Sequence, residues 1–263
     1  MTGTYKTLSG LGAAFAVLLV TNTVALGQDT VYLGVGPAYG GTNPYQDDGG
    51  GEFTALLDTN GVPNPVPAGY SSLATLAVNG VTGFETFCLE DAVDFWVGNT
   101  YDYEITPDIQ APIGTQDGAG YTGYTNEALS QGTAWLYEQF ATGDLAGYSY
   151  TNTAARLADA GVLQDTIWYL QGEAPAPTDT VYLTDLLSKF SSLSAAMAAE
   201  SPGQFGVNVV DLYTTGAKGA INGVYQDQLI FTGVPDGATT IGLLGTALLV
   251  LAFLKRRSSA TPA

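Results

Sequence analysis

Thr100-Tyr101-Asp102-Tyr103-Glu104-Ile105-Thr106 alternates residue by residue. An extended chain puts Tyr101 and Tyr103 on one face and Asp102 and Glu104 on the other. An aromatic face opposite an acidic one is the pattern of a half-exposed strand. Toward the amino terminus, residues 31–36, 53–58, 72–78 and 84–89 have strand composition. Chain-turning residues separate them. Gly49-Gly50-Gly51 reads as a turn or flexible loop, and Asn79-Gly80 as a turn signal. Pro63, Pro65 and Pro67 mark 60–69 as a connecting loop that no helix crosses. The first half therefore reads as all-β with short strands.

Beyond the heptapeptide the period changes. In 126–140, Ala128, Leu129, Ala134, Trp135, Leu136 and Phe140 fall close to helical spacing, with Thr125 or Asn126 as N-cap. A second helical stretch covers 152–171, capped by Asn152 and broken or bent at Gly161; a third covers 179–200 and closes at Ser201-Pro202-Gly203. Strand patterns return at 206–212 and 226–232, with 219–223 between them. The expected fold is α+β: a β-sandwich or barrel with a helical insertion at about 120–200. No repeat of solenoid length appears.

Both ends differ from this body. Residues 1–27 have a weakly basic start, an apolar stretch and small residues at Ala25-Leu26-Gly27, the pattern of a signal peptide cleaved after Gly27. The other end reads Val234-Pro235-Asp236-Gly237, an apolar run to Leu254, a basic stop Lys255-Arg256-Arg257 and a polar tail 258–263. A helix over 239–254 is roughly 24 Å long at about 1.5 Å per residue. Snorkelling basic side chains extend that toward a membrane span, with the basic stop on the cytoplasmic side. The expected organisation is signal peptide 1–27, extracellular domain 28–233, and sorting motif, transmembrane helix and stop at 234–257.

Composition excludes several function classes. The 263-residue chain carries a net charge of −18 and no histidine. Residues 28–233 hold only Arg156, Lys189 and Lys218 against 24 acidic residues, a net charge of −21. Nucleic acid needs Lys and Arg for its phosphates and is not an expected partner. Ser-His-Asp and Cys-His catalysis and His-based zinc sites are ruled out. No Asp-x-Asp-x-Asp-Gly calcium loop is present, and no metal or cofactor is expected. A carboxylate pair for glycoside hydrolysis stays open but carries no signal among so many acids. The one cysteine, Cys88, has no intramolecular disulfide partner. In an oxidising compartment it is buried, paired between chains, or bonded to something other than sulfur.

The tail, with Val234-Pro235-Asp236-Gly237 before the apolar run and Lys255-Arg256-Arg257 after it, resembles the sorting signals of bacterial PEP-CTERM and VPDSG-CTERM proteins. Gly237-Ala238 stands where the VPDSG form has Ser-Gly. The resemblance implies the secretion machinery and an exosortase-type membrane protease as partners. It implies an inner-membrane intermediate with its C-terminus in the cytoplasm, then delivery to the cell surface or the extracellular matrix. Such proteins belong to Gram-negative bacteria that make exopolysaccharide.

Phe87-Cys88-Leu89-Glu90 ends a predicted strand, and Leu163-Gln164-Asp165-Thr166-Ile167-Trp168 lies on a predicted helix. This pair resembles the signature of Cys–Gln thioester domains of surface adhesins, with Thr166 where Ala is more usual. The resemblance implies a thioester between Cys88 and Gln164, within a thioester-domain-like core at 75–232, able to react with amines on another molecule. Against it stand an ordinary buried cysteine, an exposed Gln164, and Gln171 as a rival amide. With no histidine, any assisting base is a carboxylate, a tyrosine or the substrate amine, and Glu90 is nearest in sequence. The expected function is therefore an exported surface or matrix protein, not an enzyme, with covalent adhesion through Cys88 and Gln164. The alternative is a non-reactive structural or carbohydrate-binding protein of the exopolysaccharide layer. There Trp96, Trp135 and Trp168 offer stacking platforms, although core anchoring is their more ordinary role.

Overall fold

The computed structural model describes residues 29–34, 46–47, 50–59, 61–78, 80–112, 123–151, 153–215 and 221–233. The signal-peptide segment 1–27, the motif Val234 to Gly237, the stop Lys255 to Arg257 and the cap Asn152 lie outside them. Among the described residues no helix is long and apolar enough to cross a membrane.

The fold is sheet-rich with several helices. Its strands are β1 (Asp29–Gly34), β2 (Gln46–Asp47), β3 (Gly50–Gly51), β4 (Phe53–Thr59), β5 (Val62–Pro63), β6 (Thr75–Val78), β7 (Val81–Thr86), β8 (Thr100–Thr106), β9 (Asp108–Pro112) and β10 (Tyr124–Ala128). The helices α1 (Gln131–Thr142), α2 (Thr153–Gln171), α3 (Val181–Lys189) and α4 (Leu193–Ala196) follow, and β11 (Val207–Thr215), β12 (Ile221–Val224) and β13 (Gln228–Phe231) close the order.

The main sheet runs β12-β11-β8-β1-β4-β7-β6, with β13 paired to β11 and β5 to β4. All of its pairings are antiparallel. Just past β7, Cys88 forms an antiparallel bridge with Gln228 of β13. Leu89 N donates to Asp227 O at 3.1 Å, and Leu229 N to Phe87 O at 3.2 Å. The path β7-β4-β1-β8-β11-β13 thus returns to β7, a ring closed by a short seam at Cys88. Closure removes free strand edges there.

The period-2 pattern sorts the two faces of this ring. Val31, Leu33, Phe84, Tyr101, Leu212 and Ile230 form one core cluster, with Tyr103 packed at its side. Val207, Val209, Leu229 and Phe231 face the other way, onto a larger cluster with Tyr137 and Phe140 of α1 and Leu163 and Ile167 of α2. The heptapeptide is β8, and Tyr101 and Tyr103 share a face as its alternation requires.

Four expectations need correction. Residues 72–74 form a 3-10 turn rather than the start of a strand. Residues 124–128 pair with β9 as strand β10, so the first helix begins at Gln131 with Ser130 as N-cap, its Oγ accepting from Thr133 N at 3.2 Å. The helical insertion accordingly runs from 131 to 196, inside the expected 120–200. Helix α2 continues through Gly161 without a break, because Ala160, Leu163 and Ile167 bury it on both sides of the glycine. The third helical stretch is two helices, α3 and α4, divided at Phe190.

Candidate functional site

The seam brings Cys88 against α2. Cys88 is fully buried and its thiol is free. Its side chain joins Phe53 and Trp168 in a small cluster between the sheet and the helix. Gln164 is buried too, two turns along α2 from Arg156. Its carboxamide meets the backbone of Cys88 on both sides: Nε2 donates to Cys88 O at 2.8 Å, and Oε1 accepts from Cys88 N at 3.0 Å. Oε1 accepts a second hydrogen bond, from Gly51 N at 3.2 Å. The sequence pair Cys88 and Gln164 is therefore brought together. Gln171, the rival, has its Nε2 buried without a hydrogen-bond partner and no bond to Cys88.

Two backbone N–H groups converging on one carbonyl oxygen form the geometry that stabilises a developing oxyanion. One of them comes from Gly51, which adopts φ +115°, a conformation left to glycine. Its neighbour Gly50 passes so close to α2 that an added Cβ would lie 2.4 Å from Gln164 Cγ and 2.7 Å from Trp168 Cη2. Of the turn or loop expected at 49–51, Gly49 lies outside the described residues and Gly50–Gly51 is a short strand, β3, pressed on the helix. Consecutive glycines permit close backbone approach as well as turns, and that is the signal the sequence reading passed over.

What holds this strand in place is an ion pair. Arg156 Nε donates to Glu52 Oε1 at 2.8 Å and Arg156 Nη2 to Glu52 Oε2 at 2.6 Å. Tyr148 OH also donates to Glu52 Oε1, and Arg156 Nη1 donates to Tyr150 O at 2.8 Å. Burial works against the guanidinium charge, but the hydrogen bonds and charge of Glu52 outweigh it and raise its pKa. Beside this pair, burial and the charge of Glu52 push the Glu85 carboxyl well above the usual range, while Thr54 Oγ1 donates to it at 2.7 Å. Arg156 and Gln164 thus tie the same strip of chain, Gly51-Glu52, to α2. Only Arg156's rarity in an acidic chain marked it in the sequence.

The electrostatics at the cysteine are those of a dry site. Burial pushes the Cys88 thiol far up, opposed by a hydrogen bond from Gln228 and reinforced by the charge of Glu90. Gln228 Nε2 lies 3.6 Å from Cys88 Sγ. Glu90, two residues past the cysteine, accepts from Asp227 N at 2.9 Å, and burial raises its carboxyl well above the ordinary value. Asp227 in turn accepts from Gln110 N at 2.6 Å, and Gln110 Nε2 donates to Asp211 Oδ2 at 3.1 Å. Burial pushes Asp211 up to about 7 and Asp227 well above its usual range. Burial thus disfavours the ionised form at Glu90, Asp211 and Asp227 alike. Among the described residues no group of acids, Cys or His is arranged to hold a metal ion.

The tryptophans divide. Trp168 is buried and Trp135 packs against the larger core, as anchoring expects. Trp96 is 43 % exposed, its ring edge-on to Tyr225 at 5.6 Å.

Comparison with known proteins matches the chain's tail. A family model described as the VPDSG-CTERM motif matches residues 233–258. No curated protein matches the chain, and no solved structure matches it. The C-terminal segment thus carries a VPDSG-CTERM sorting signal, which implies processing by an exosortase-type protease and is consistent with export and surface display.

Proposed function

We propose that this is a surface or matrix protein whose domain forms an internal thioester between Cys88 and Gln164 and uses it to attach covalently to amines. The observation that carries the reading is the Gln164 carboxamide held on the Cys88 backbone with two N–H groups on its oxygen. In bond formation the thiol gives up its proton, and Sγ attacks Gln164 Cδ. Charge collects on Oε1, where the N–H groups of Cys88 and Gly51 meet it. The Cδ–Nε2 bond then breaks, and nitrogen leaves with the thiol proton as ammonia. In attachment a primary amine attacks the same carbon, the sulfur leaves as thiol, and a stable amide joins the two molecules. Glu90 is the acid we assign to carry the proton: it lies two residues past the cysteine and is buried at the seam, where it accepts from Asp227 N at 2.9 Å. Each molecule reacts once, so no turnover follows.

The test is intact mass of residues 28–233 before and after methylamine. The expected result is a mass low by one ammonia, converted to a methylamine adduct, and absent in Cys88→Ala and Gln164→Ala. A full unmodified mass with an alkylatable thiol sinks the reading.

The exposed Trp96 beside Tyr225 favours a second reading, a glycan-binding role in the exopolysaccharide layer. A wild type of full unmodified mass that is retained by exopolysaccharide, with retention lost in Trp96→Ala, separates it from the first.

A further inference from the structure

Gln164 is one of two carboxamides at the cysteine; the other belongs to Gln228. Gln228 is the antiparallel bridge partner of Cys88 across the seam. Directly opposed residues of an antiparallel pair project to the same face, so its side chain reaches the sulfur. The orientation of its amide is fixed. Nε2 faces both Cys88 Sγ, at 3.6 Å, and Gln226 O, at 3.3 Å, and a backbone carbonyl can only accept. Its Oε1 is buried without a partner. A buried acceptor left unpaired is unfavourable, and leucine would fill this space without that cost. Packing alone therefore does not explain a glutamine 1 % exposed at this position.

We propose that Gln228 is the positioning residue for the nucleophile: its side-chain N–H holds Cys88 Sγ toward Gln164 and stabilises the thiolate while the S–Cδ bond forms. This rests on the thioester reading above. The balance is unchanged: the thiol proton leaves with the Gln164 nitrogen as ammonia, and Gln228 gives up no atom. Gln228 plays for the sulfur the part that Gly51 N–H plays for the oxygen.

Formation can be followed in the purified protein. Ammonia opens the thioester and regenerates the thiol and the Gln164 amide; after its removal, intact mass against time reports re-formation across pH. In the wild type the rate rises with pH as the thiol ionises. Gln228→Leu is expected to re-form the bond about a hundredfold more slowly at every pH, the low end for loss of one preorganised donor. Gln228→Glu is expected to invert the pH dependence. Its protonated carboxyl still donates to sulfur at low pH, and its carboxylate repels the thiolate as pH rises. Gln228→Glu is close in size to the native residue and carries the test should Gln228→Leu fail to fold. Rates within twofold of wild type with a rising pH profile in both variants overturn the proposal and leave the thioester standing. A bond that survives Gln164→Ala and is lost in Gln228→Leu also overturns it, because Gln228 is then the acyl donor. A wild type that shows no ammonia loss overturns both readings together.

Discussion

Arg156 grips Glu52 through two hydrogen bonds of 2.8 and 2.6 Å, and both side chains are buried, in a chain with three basic residues between 28 and 233. Removing one partner of such a pair strands the other charge, at a cost of about 3–5 kcal/mol. Arg156→Ala is therefore expected to lower unfolding free energy by about that amount in urea titration. It should also reduce the fraction of molecules lacking one ammonia, since Glu52 anchors the strip carrying Gly51 N–H. An Arg156→Ala protein as stable as wild type refutes the anchoring role.

Gly50→Ala tests the close approach of β3 to α2. The new Cβ would sit 2.4 Å from Gln164 Cγ, and Gln164 cannot swing aside without losing three hydrogen bonds. Overpacking of this kind costs about 1–3 kcal/mol. The expected outcome is that loss together with slower ammonia release, measured on the same preparation. Gly123→Ala, at a glycine that like Gly50 has no positive φ, meets no atom within 4 Å and serves as control for the substitution without overpacking.

Stability should fall as pH rises from about 4 to about 7. Burial lifts Asp211 from 3.8 to about 7, so the unfolded chain releases this proton first. Between those values the unfolded state binds fewer protons than the folded state, and the slope of stability with pH is negative. Glu200, also pushed up to about 7 by burial, acts in the same direction. Thermal melts should show a higher Tm at pH 4.5 than at pH 7.5, with the drop reduced in Asp211→Asn. A Tm that climbs over this range contradicts the burial of these groups as neutral acids.

Ser130→Ala should cost about 1 kcal/mol, the usual worth of an N-cap hydroxyl. Ser130 Oγ accepts from Thr133 N, whereas Thr125 and Asn126, the two caps the pattern offered, are exposed on strand β10. Thr125→Ala should change stability by less than about 0.5 kcal/mol. Equal effects from both substitutions would falsify the assignment of the helix start.

These positions show what the sequence makes legible. Strand β8 could be read because Tyr101 and Tyr103 alternate with Asp102 and Glu104, a local pattern that needs no partner. The start of α1 could not, because 124–128 owes its strand to pairing with 108–112 and carries no period of its own. Gly161 suggested a break that burial of its neighbours on α2 overrides. At the site, Cys88 stood out as a lone cysteine, and Gln164 only through the resemblance of Leu163-Gln164-Asp165-Thr166-Ile167-Trp168 to a thioester-domain motif. Gly51, Glu52 and Gln228 did not, since each acquires its meaning from a residue at least 100 positions away or from the seam itself. Backbone donors leave no trace in residue type.

The seam at Cys88 also sets how the domain carries mechanical load. β13 is the last strand of the described residues, so tension applied from the C-terminal side enters the domain through it. Four residue pairs to β11, from Val207–Phe231 to Val210–Gln228, and the bridge to Cys88 receive that pull first. The strand nearest the C-terminal sorting signal is thus the strand that touches the cysteine, and the proposed bond from Cys88 to α2 would pass such force directly into the helical layer.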